Sequence, residues 1–150
     1  MLGLFALTIS SCKKDDDNKV DNEEDLKSTK MSYKVDGTQK TSTHLFAVKN
    51  GADAIGIYGA INDSEALVIG IDGFHGNGDY TTEEDDVIIT YTSGKNATDV
   101  YVAEECTVKV TSSTNNEIKG TFTATVKNNA NASKVVTEGK FEAKIVEAQD

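Results

Sequence analysis

A two-residue alternation near the C-terminus constrains the fold of this chain more than any other feature. In the run Ile118–Val126, every second residue is apolar or glycine, and the residues between them are lysine or threonine. Because successive side chains of a β-strand point to opposite faces, this run predicts a strand with one buried face and one solvent-exposed face. The run Val135–Val146 behaves in the same way from Phe141 onward. The polar segment Asn128–Ser133 between the two runs predicts a connecting loop.

Shorter segments of the same kind fill the chain from Met31 up to these two runs. The Asp36-Gly37 dipeptide predicts a tight hairpin turn between the first two of them. No segment has a convincing helical period apart from a weak acidic run near Glu23. We therefore expect about nine strands, mostly antiparallel. Apart from the two C-terminal runs, the predicted strands are Ser32–Val35, Thr38–Val48, Ala54–Ile61, Ala66–Ile71, Val87–Thr92, Val100–Ala103 and Cys106–Thr111.

The composition agrees with an all-β protein. The chain has 150 residues and lacks proline and tryptophan, and it is rich in threonine, valine and isoleucine, which favour strands. Residues 31–150 suffice for one two-layer core. The sequence predicts a single antiparallel β-sandwich, or a partly closed barrel, over residues 31–150.

The charge excludes one class of partner. The formal net charge is −10, and nucleic-acid binding requires clustered lysine or arginine side chains that neutralise phosphates. The sequence contains no basic stripe. We therefore expect no nucleic-acid partner.

An apolar run lies near the N-terminus and ends shortly before a cysteine. Leu2–Ile9 is too short to span a bilayer, which takes about 20 apolar residues, but it has the length of a signal-peptide core. No lysine or arginine follows Met1, although signal peptides usually carry a basic residue there. A disordered N-terminus of a cytosolic protein is the alternative.

The residues around Cys12 carry a resemblance. Ile9-Ser10-Ser11-Cys12 resembles a bacterial lipobox, which implies that residues 1–11 are a signal peptide and that Cys12 is acylated after their removal. Several acyl chains on one cysteine would give stable anchoring. The residues that follow resemble the acidic export signal of Bacteroidota surface lipoproteins, which implies the outer face of the outer membrane. That signal consists of Lys13, Lys14, Asp15, Asp16 and Asp17.

The segment after Cys12 contains almost no hydrophobic residues. Only Val20 and Leu26 interrupt the polar run Lys13–Lys30, and such a segment cannot bury enough apolar surface to fold. We expect residues 12–30 to form a disordered, acidic tether between the anchored cysteine and the folded domain.

Three short motifs extend the resemblance into the body of the chain. Gly78-Asp79-Tyr80-Thr81, Ile118-Lys119-Gly120-Thr121-Phe122 and Val136-Thr137-Glu138-Gly139-Lys140-Phe141 occur in this order. They resemble a domain of unknown function in uncharacterised Bacteroidota lipoproteins, with a central G-x-Y turn and two later strands. The resemblance implies a β-fold and a cell-surface location, and it implies no particular activity.

One polar region is a candidate for metal binding. Between Ile71 and Tyr80, carboxylate and amide side chains alternate with glycines, and a run of four acidic residues follows. Oxygen ligands on a flexible loop suit calcium, although the spacing departs from an EF-hand loop. A glycine-rich connection followed by a solvated turn is the alternative. The candidate ligands are Asp72, Asn77, Asp79, Glu83, Glu84, Asp85 and Asp86.

The sequence offers little for catalysis. His44 reads as a strand residue at the surface, and Cys106 alternates with Val108 and Val110, which predicts a small buried side chain. No zinc spacing, phosphate loop or serine-nucleophile motif occurs. We therefore expect that the protein is not an enzyme.

These observations predict a lipid-anchored β-sandwich protein on the cell surface that acts as a non-catalytic binding or scaffold module. Its partners would be the outer membrane, through Cys12, and an extracellular glycan or protein, with no cofactor. A calcium-assisted carbohydrate-binding or adhesion module is the alternative function. A small hydrolase with dispersed carboxylates is a third.

Overall fold

The computed structural model describes residues 30–51 and 53–147, and this part of the chain is all-β. Its only helical element among these residues is a 3-10 turn at Ala97–Asp99. The fold class predicted from the alternation is confirmed. The strands are β1 (Lys30–Val35), β2 (Thr38–Thr41), β3 (His44–Lys49), β4 (Ala54–Ala60), β5 (Ala66–Asp72), β6 (Gly78–Thr81), β7 (Asp86–Thr92), β8 (Val100–Ser113), β9 (Glu117–Lys127) and β10 (Ser133–Glu147).

Seven of these strands close into a barrel, in the order β3-β4-β5-β7-β8-β9-β10 and back to β3. Every neighbouring pair in the ring is antiparallel except β10 and β3, which run parallel. The β1–β2 hairpin pairs with β10, and β6 pairs with β8. Of the two architectures that the sequence allows, the chain adopts the barrel, and the barrel is fully closed.

The two longest strands turn the corners of the barrel. On one side β10 pairs first with β1 and then, at Ile145–Glu147, with β3, while β9 follows its other side. Likewise β8 pairs with β7 at Val100–Val102 and with β6 further along. In β8 a bulge between Ala103 and Glu105 separates the pairing with β7 from the pairing with β6, whereas in β10 the bulge between Val136 and Gly139 lies within the pairing with β1. A bulge inserts a residue and bends a strand, which in β8 allows one strand to serve two partners.

Three sequence predictions differ from the structure. The expected strand Thr38–Val48 is two strands, because the chain leaves β1 after Ser42, whose Oγ accepts a hydrogen bond from the Met31 backbone N–H at 3.0 Å. The expected strands around Glu104 merge into β8, because the bulge keeps the ladder continuous. Gly78–Thr81, expected as a turn, is the edge strand β6.

The β1–β2 hairpin covers part of the barrel interior. Asp36 and Gly37 have positive φ angles of 49° and 87°, as the tight turn predicted from this dipeptide requires. The ring of Tyr33 on β1 lies 6.2 Å from that of Tyr91 on β7 and 6.0 Å from that of Phe122 on β9. The inner side of the hairpin therefore completes the core, and the outer side of the hairpin faces solvent.

Candidate binding surfaces

The loop residues of the predicted calcium site have different partners in the structure. Asp72 ends β5 and is exposed. Asn77 donates from Nδ2 to the Thr111 carbonyl oxygen at 3.3 Å. Asp79 lies on β6, and its carboxylate is 3.7 Å from the Lys109 ammonium. Each of these polar groups therefore has a different surrounding.

The acidic run that follows is a turn and the start of a strand. The carboxylate of Asp85 accepts a hydrogen bond from the Thr81 backbone N–H at 3.0 Å, while Glu83 and Glu84 are exposed. Asp86 starts β7 directly opposite Asp72. Two facing carboxylates are fewer than the roughly six to eight oxygen ligands that calcium takes. Nowhere in residues 30–51 and 53–147 do three or more His, Cys, Asp or Glu side chains form a group that could hold a metal ion.

The lipidation and export residues, Cys12 and Lys13 to Asp17, lie outside the described residues. Signal peptide, anchor and tether therefore stay predictions. No helix in the described part of the chain is long and apolar enough to cross a membrane.

The remaining cysteine and His44 lie where the sequence predicts them. Cys106 is buried and free, and its backbone N–H donates to the Thr82 hydroxyl at 2.6 Å. Burial raises the pKa of the Cys106 thiol, and the hydrogen bond from Thr82 only partly offsets this effect. A buried thiol with a raised pKa is a poor nucleophile. His44 is exposed at the start of β3.

The outward side of β3, β4, β5, β7 and the start of β8 is largely apolar and carries no acidic or lysine side chain in its three central rows. One row across the strands brings together Phe46, Tyr58, Val68, Thr90 and Val102. With strands about 4.8 Å apart and residues about 3.3 Å apart along a strand, the surface measures roughly 20 by 14 Å. We name it the outer apolar face. Its neighbouring rows consist of Val48, Gly56, Gly70 and Ile88 on one side and of His44, Ala60, Ala66, Thr92 and Val100 on the other.

Two aromatic rings form the β3–β4 end of the middle row of the outer apolar face. Phe46 and Tyr58 stack with ring centroids 5.2 Å apart, and 43% and 36% of their respective surfaces stay exposed. The Tyr58 ring lies over Gly56, where an added Cβ would come within 2.8 Å of the Tyr58 hydroxyl. The glycine therefore allows the ring to lie against the sheet. Ile88, on β7, is 50% exposed. Contiguous exposed apolar surface of this kind marks interaction sites.

A polar cluster lies at the end of the barrel where β2, the β4–β5 loop and β7 meet. The Lys40 ammonium is 2.8 Å from the Glu65 carboxylate, which also accepts a short hydrogen bond from the Tyr91 hydroxyl. Burial alone would raise the pKa of Glu65, but the hydrogen bonds from Lys40 and Tyr91 and the Lys40 charge lower it below its usual value. Burial raises the pKa of Tyr91, and the hydrogen bond to Glu65 raises it further by a smaller amount.

Tyr33 lies behind this cluster and has no hydrogen bond for its hydroxyl. Its side chain is fully buried, and its hydroxyl is the one buried side-chain polar atom without a partner in the described residues. Burial and the nearby charge of Glu65 raise the pKa of Tyr33. A buried hydroxyl without a partner costs stability.

This contrast gives a prediction for two tyrosine variants. Tyr33→Phe removes an unpaired hydroxyl, so we expect the free energy of unfolding to rise by about 1 kcal/mol. Tyr91→Phe removes the donor to Glu65, so we expect it to fall by about 1 to 2 kcal/mol. Urea unfolding at pH 7 measures both variants. A loss of stability in Tyr33→Phe equal to that in Tyr91→Phe would contradict the assignment of partners.

The lowered pKa of Glu65 predicts a pH dependence. Because the folded-state pKa lies below the unfolded-state value, the ionised carboxylate stabilises the fold above its usual pKa. This stabilisation is lost as the pH falls through the folded-state value. We expect Glu65→Gln to be about 1 kcal/mol less stable than wild type at pH 7, with the difference shrinking as the pH falls through the folded-state pKa of Glu65. Unfolding curves measured from pH 7 down into the acidic range test this prediction, and a difference independent of pH would refute it.

A groove of about 570 Å³ lies on a different side of the molecule. It crosses the outward faces of β8, β9, β10, β1 and β2 and is lined mainly by hydroxyl and amine side chains. Sequence patterns did not reveal it, because most of its residues occupy ordinary solvent-facing positions of their own strands, while Phe122 and Gly139 are buried beneath them. Only the register between strands brings them together. The outer apolar face did have a signal, since the continuously apolar run Ala66–Ile71 leaves both faces of β5 without charge.

Comparisons with known proteins return no relative of this chain. No protein-family model, no curated protein and no solved structure matches it significantly.

Proposed function

We propose that this protein is a non-catalytic binding module, anchored by acyl chains on Cys12 to the outer face of a bacterial outer membrane. The module contacts an extracellular protein through the outer apolar face. Residues 12–29 are the tether that separates the barrel from the lipid surface, because Lys30 already belongs to β1. The N-terminal sequence supports the anchor, and the outer apolar face supports the binding role.

The observation that carries the binding role is the exposed aromatic pair. Phe46 and Tyr58 stack at the β3–β4 end of a sheet face on which β5, a strand paired on both sides, leaves Val68 and Gly70 partly exposed. An exposed aromatic pair with aliphatic neighbours is typical of a protein interface.

The size of this face favours a partner protein over a stable dimer of this chain. A stable interface buries about 800 Å² on each partner. The roughly 20 by 14 Å face supplies only the apolar core of such an interface. A partner that adds polar contacts around this core fits the area, as in transient complexes.

Photo-crosslinking on intact cells tests this proposal. In the full chain, Tyr58 is replaced by p-benzoylphenylalanine, and Thr125, which faces outward on β9, is replaced in a matched control. We expect one discrete adduct of higher mass from position 58 and none from position 125. Adding Ile88→Asp should remove the adduct, because a carboxylate on the face opposes burial.

Several outcomes would refute the proposal. Equal adducts at positions 58 and 125 would show non-specific proximity. An adduct at the mass of two chains would show self-association. The absence of any adduct on cells that display the protein would remove the outer apolar face as a binding surface.

A further inference from the structure

We infer that the groove across β8, β9, β10, β1 and β2 binds an acidic oligosaccharide, with carboxylate groups of the sugar held between the ammonium groups of Lys109 and Lys140. This site is distinct from the outer apolar face and does not depend on the lipid anchor. Failure of either proposal therefore leaves the other intact.

The strand register places the two lysines on either side of one threonine. Lys109 on β8 and Lys140 on β10 are both direct partners of Thr121 on β9. Two strand spacings separate the lysine backbones by about 9.6 Å. Ser32 on β1 continues the same row beyond Lys140. The row therefore presents amine, hydroxyl, amine and hydroxyl groups in sequence across the sheet.

The charges around this row favour an anionic ligand. Lys140 forms no ion pair within the described part of the chain, and Lys109 has only the exposed 3.7 Å contact with Asp79. Glu138, at the rim, is neutralised by the Lys34 ammonium at 3.3 Å. The protein as a whole has a net charge of −10. The two ammonium groups on this hydroxyl-lined row therefore form a local positive patch on a protein whose net charge is negative.

The walls of the groove match a sugar. Thr107 and Thr123 line it beside Thr121, and threonine offers both a hydroxyl and a methyl group. The lysine methylenes add apolar surface beneath their charged ends. Sugar rings present C–H faces and hydroxyl edges, so the groove can contact both. An oligomer of uronic acids carries a carboxylate on every unit, so two of its carboxylates can contact the two lysines while the units between them lie over Thr121.

A peptide ligand fits this groove less well. Extended peptides gain much of their affinity by pairing with the free edge of a sheet. The strands β8, β9, β10 and β1 have partners on both sides, so their backbone groups are occupied. The fifth strand, β2, pairs only with β1, and its free edge lies on the side away from β1. Only side chains are available for recognition at the groove floor.

Calorimetric titration of the full chain with tetragalacturonate tests the inference. We expect millimolar or tighter binding that weakens at higher salt, because surface ion pairs are screened. The carboxyl-reduced tetrasaccharide, which is neutral, should bind at least tenfold more weakly. Tetraglutamate supplies the same charge on a peptide backbone and should also bind at least tenfold more weakly.

Lysine variants localise the site. The double variant Lys109→Gln/Lys140→Gln should lose at least tenfold in affinity for tetragalacturonate with little change in melting temperature. The matched control Lys95→Gln/Lys144→Gln removes the same charge from two exposed lysines outside the groove lining, and it should stay within about twofold of wild type. This control separates a local site from a general effect of net charge.

Four results would overturn the inference. They are the absence of binding at millimolar ligand, equal binding of the neutral tetrasaccharide, an equal loss in the control variant, and equal or tighter binding of tetraglutamate. The last of these would assign the groove to acidic peptides.

Discussion

Replacing Gly120 by alanine should destabilise the protein by about 3 kcal/mol or more, because the new methyl group has no space. Gly120 lies in β9 between Val110 of β8 and Phe141 of β10. A Cβ at this position would overlap the backbone carbonyl oxygen of Lys109 and would lie 2.7 Å from the Phe141 ring. A side chain could rotate away, but a ladder carbonyl moves only with its strand.

Thermal and urea unfolding of Gly120→Ala measure this effect. A loss of this size should lower the melting temperature by about 10 °C or more in a domain of this length. Gly70→Ala is the matched control, since it also changes a mid-strand glycine. Its Cβ would meet only a methyl group of Ile88, at 3.4 Å. We expect the control to stay within about 1 kcal/mol of wild type, and equal losses in both variants would contradict the packing at Gly120.

Replacing Cys12 by alanine should abolish membrane attachment. If Cys12 carries the acyl chains, each buried methylene contributes about 0.8 kcal/mol to anchoring. Without them, nothing in the acidic segment that follows would hold the chain on a lipid surface. We expect the wild-type protein in the membrane fraction, with an intact mass that includes lipid and excludes residues 1–11. The variant should lack the lipid mass and leave that fraction.

Two further variants separate lipidation from export. Cys106→Ala changes the other cysteine, which is buried in β8, and should leave anchoring unchanged. The triple variant Asp15→Ala/Asp16→Ala/Asp17→Ala should keep the lipid and lose exposure to protease added to intact cells. An identical mature mass for wild type and Cys12→Ala would refute the lipid anchor.

The alternation in the sequence predicts much of the fold. Leu67, Ile69 and Ile71 are buried on β5 as their spacing indicates, and the Asp36-Gly37 turn forms as predicted. The bulges were not predictable in this way. Val136 is buried, yet the next buried side chain of the alternation in β10 is Phe141, because Glu138 adopts a φ of 52° within the bulge. No local pattern shows where a strand gains an extra residue.

The candidate sites also differ in how far the sequence could predict them. The predicted calcium ligands are neighbours in the sequence, but hydrogen bonds and ion pairs point Asn77 and Asp79 to different partners. Lys109 and Lys140 are distant in the sequence and flank one threonine in the structure. Proximity along the chain is therefore a poor guide to these sites, and strand register is a good one.

The sequence by itself determined most of the strand segments, the buried side of strands such as β5 and β9, and the place of the hairpin turn, because these depend on local backbone geometry and side-chain polarity. It is also the whole basis for the predicted anchor at Cys12. Only the tertiary structure decided that β10 meets β3 to close the barrel, that Phe46 and Tyr58 share an uncovered face and that Thr121 lies between two lysines. These features depend on pairing between distant segments, which long-range packing selects and no local pattern specifies.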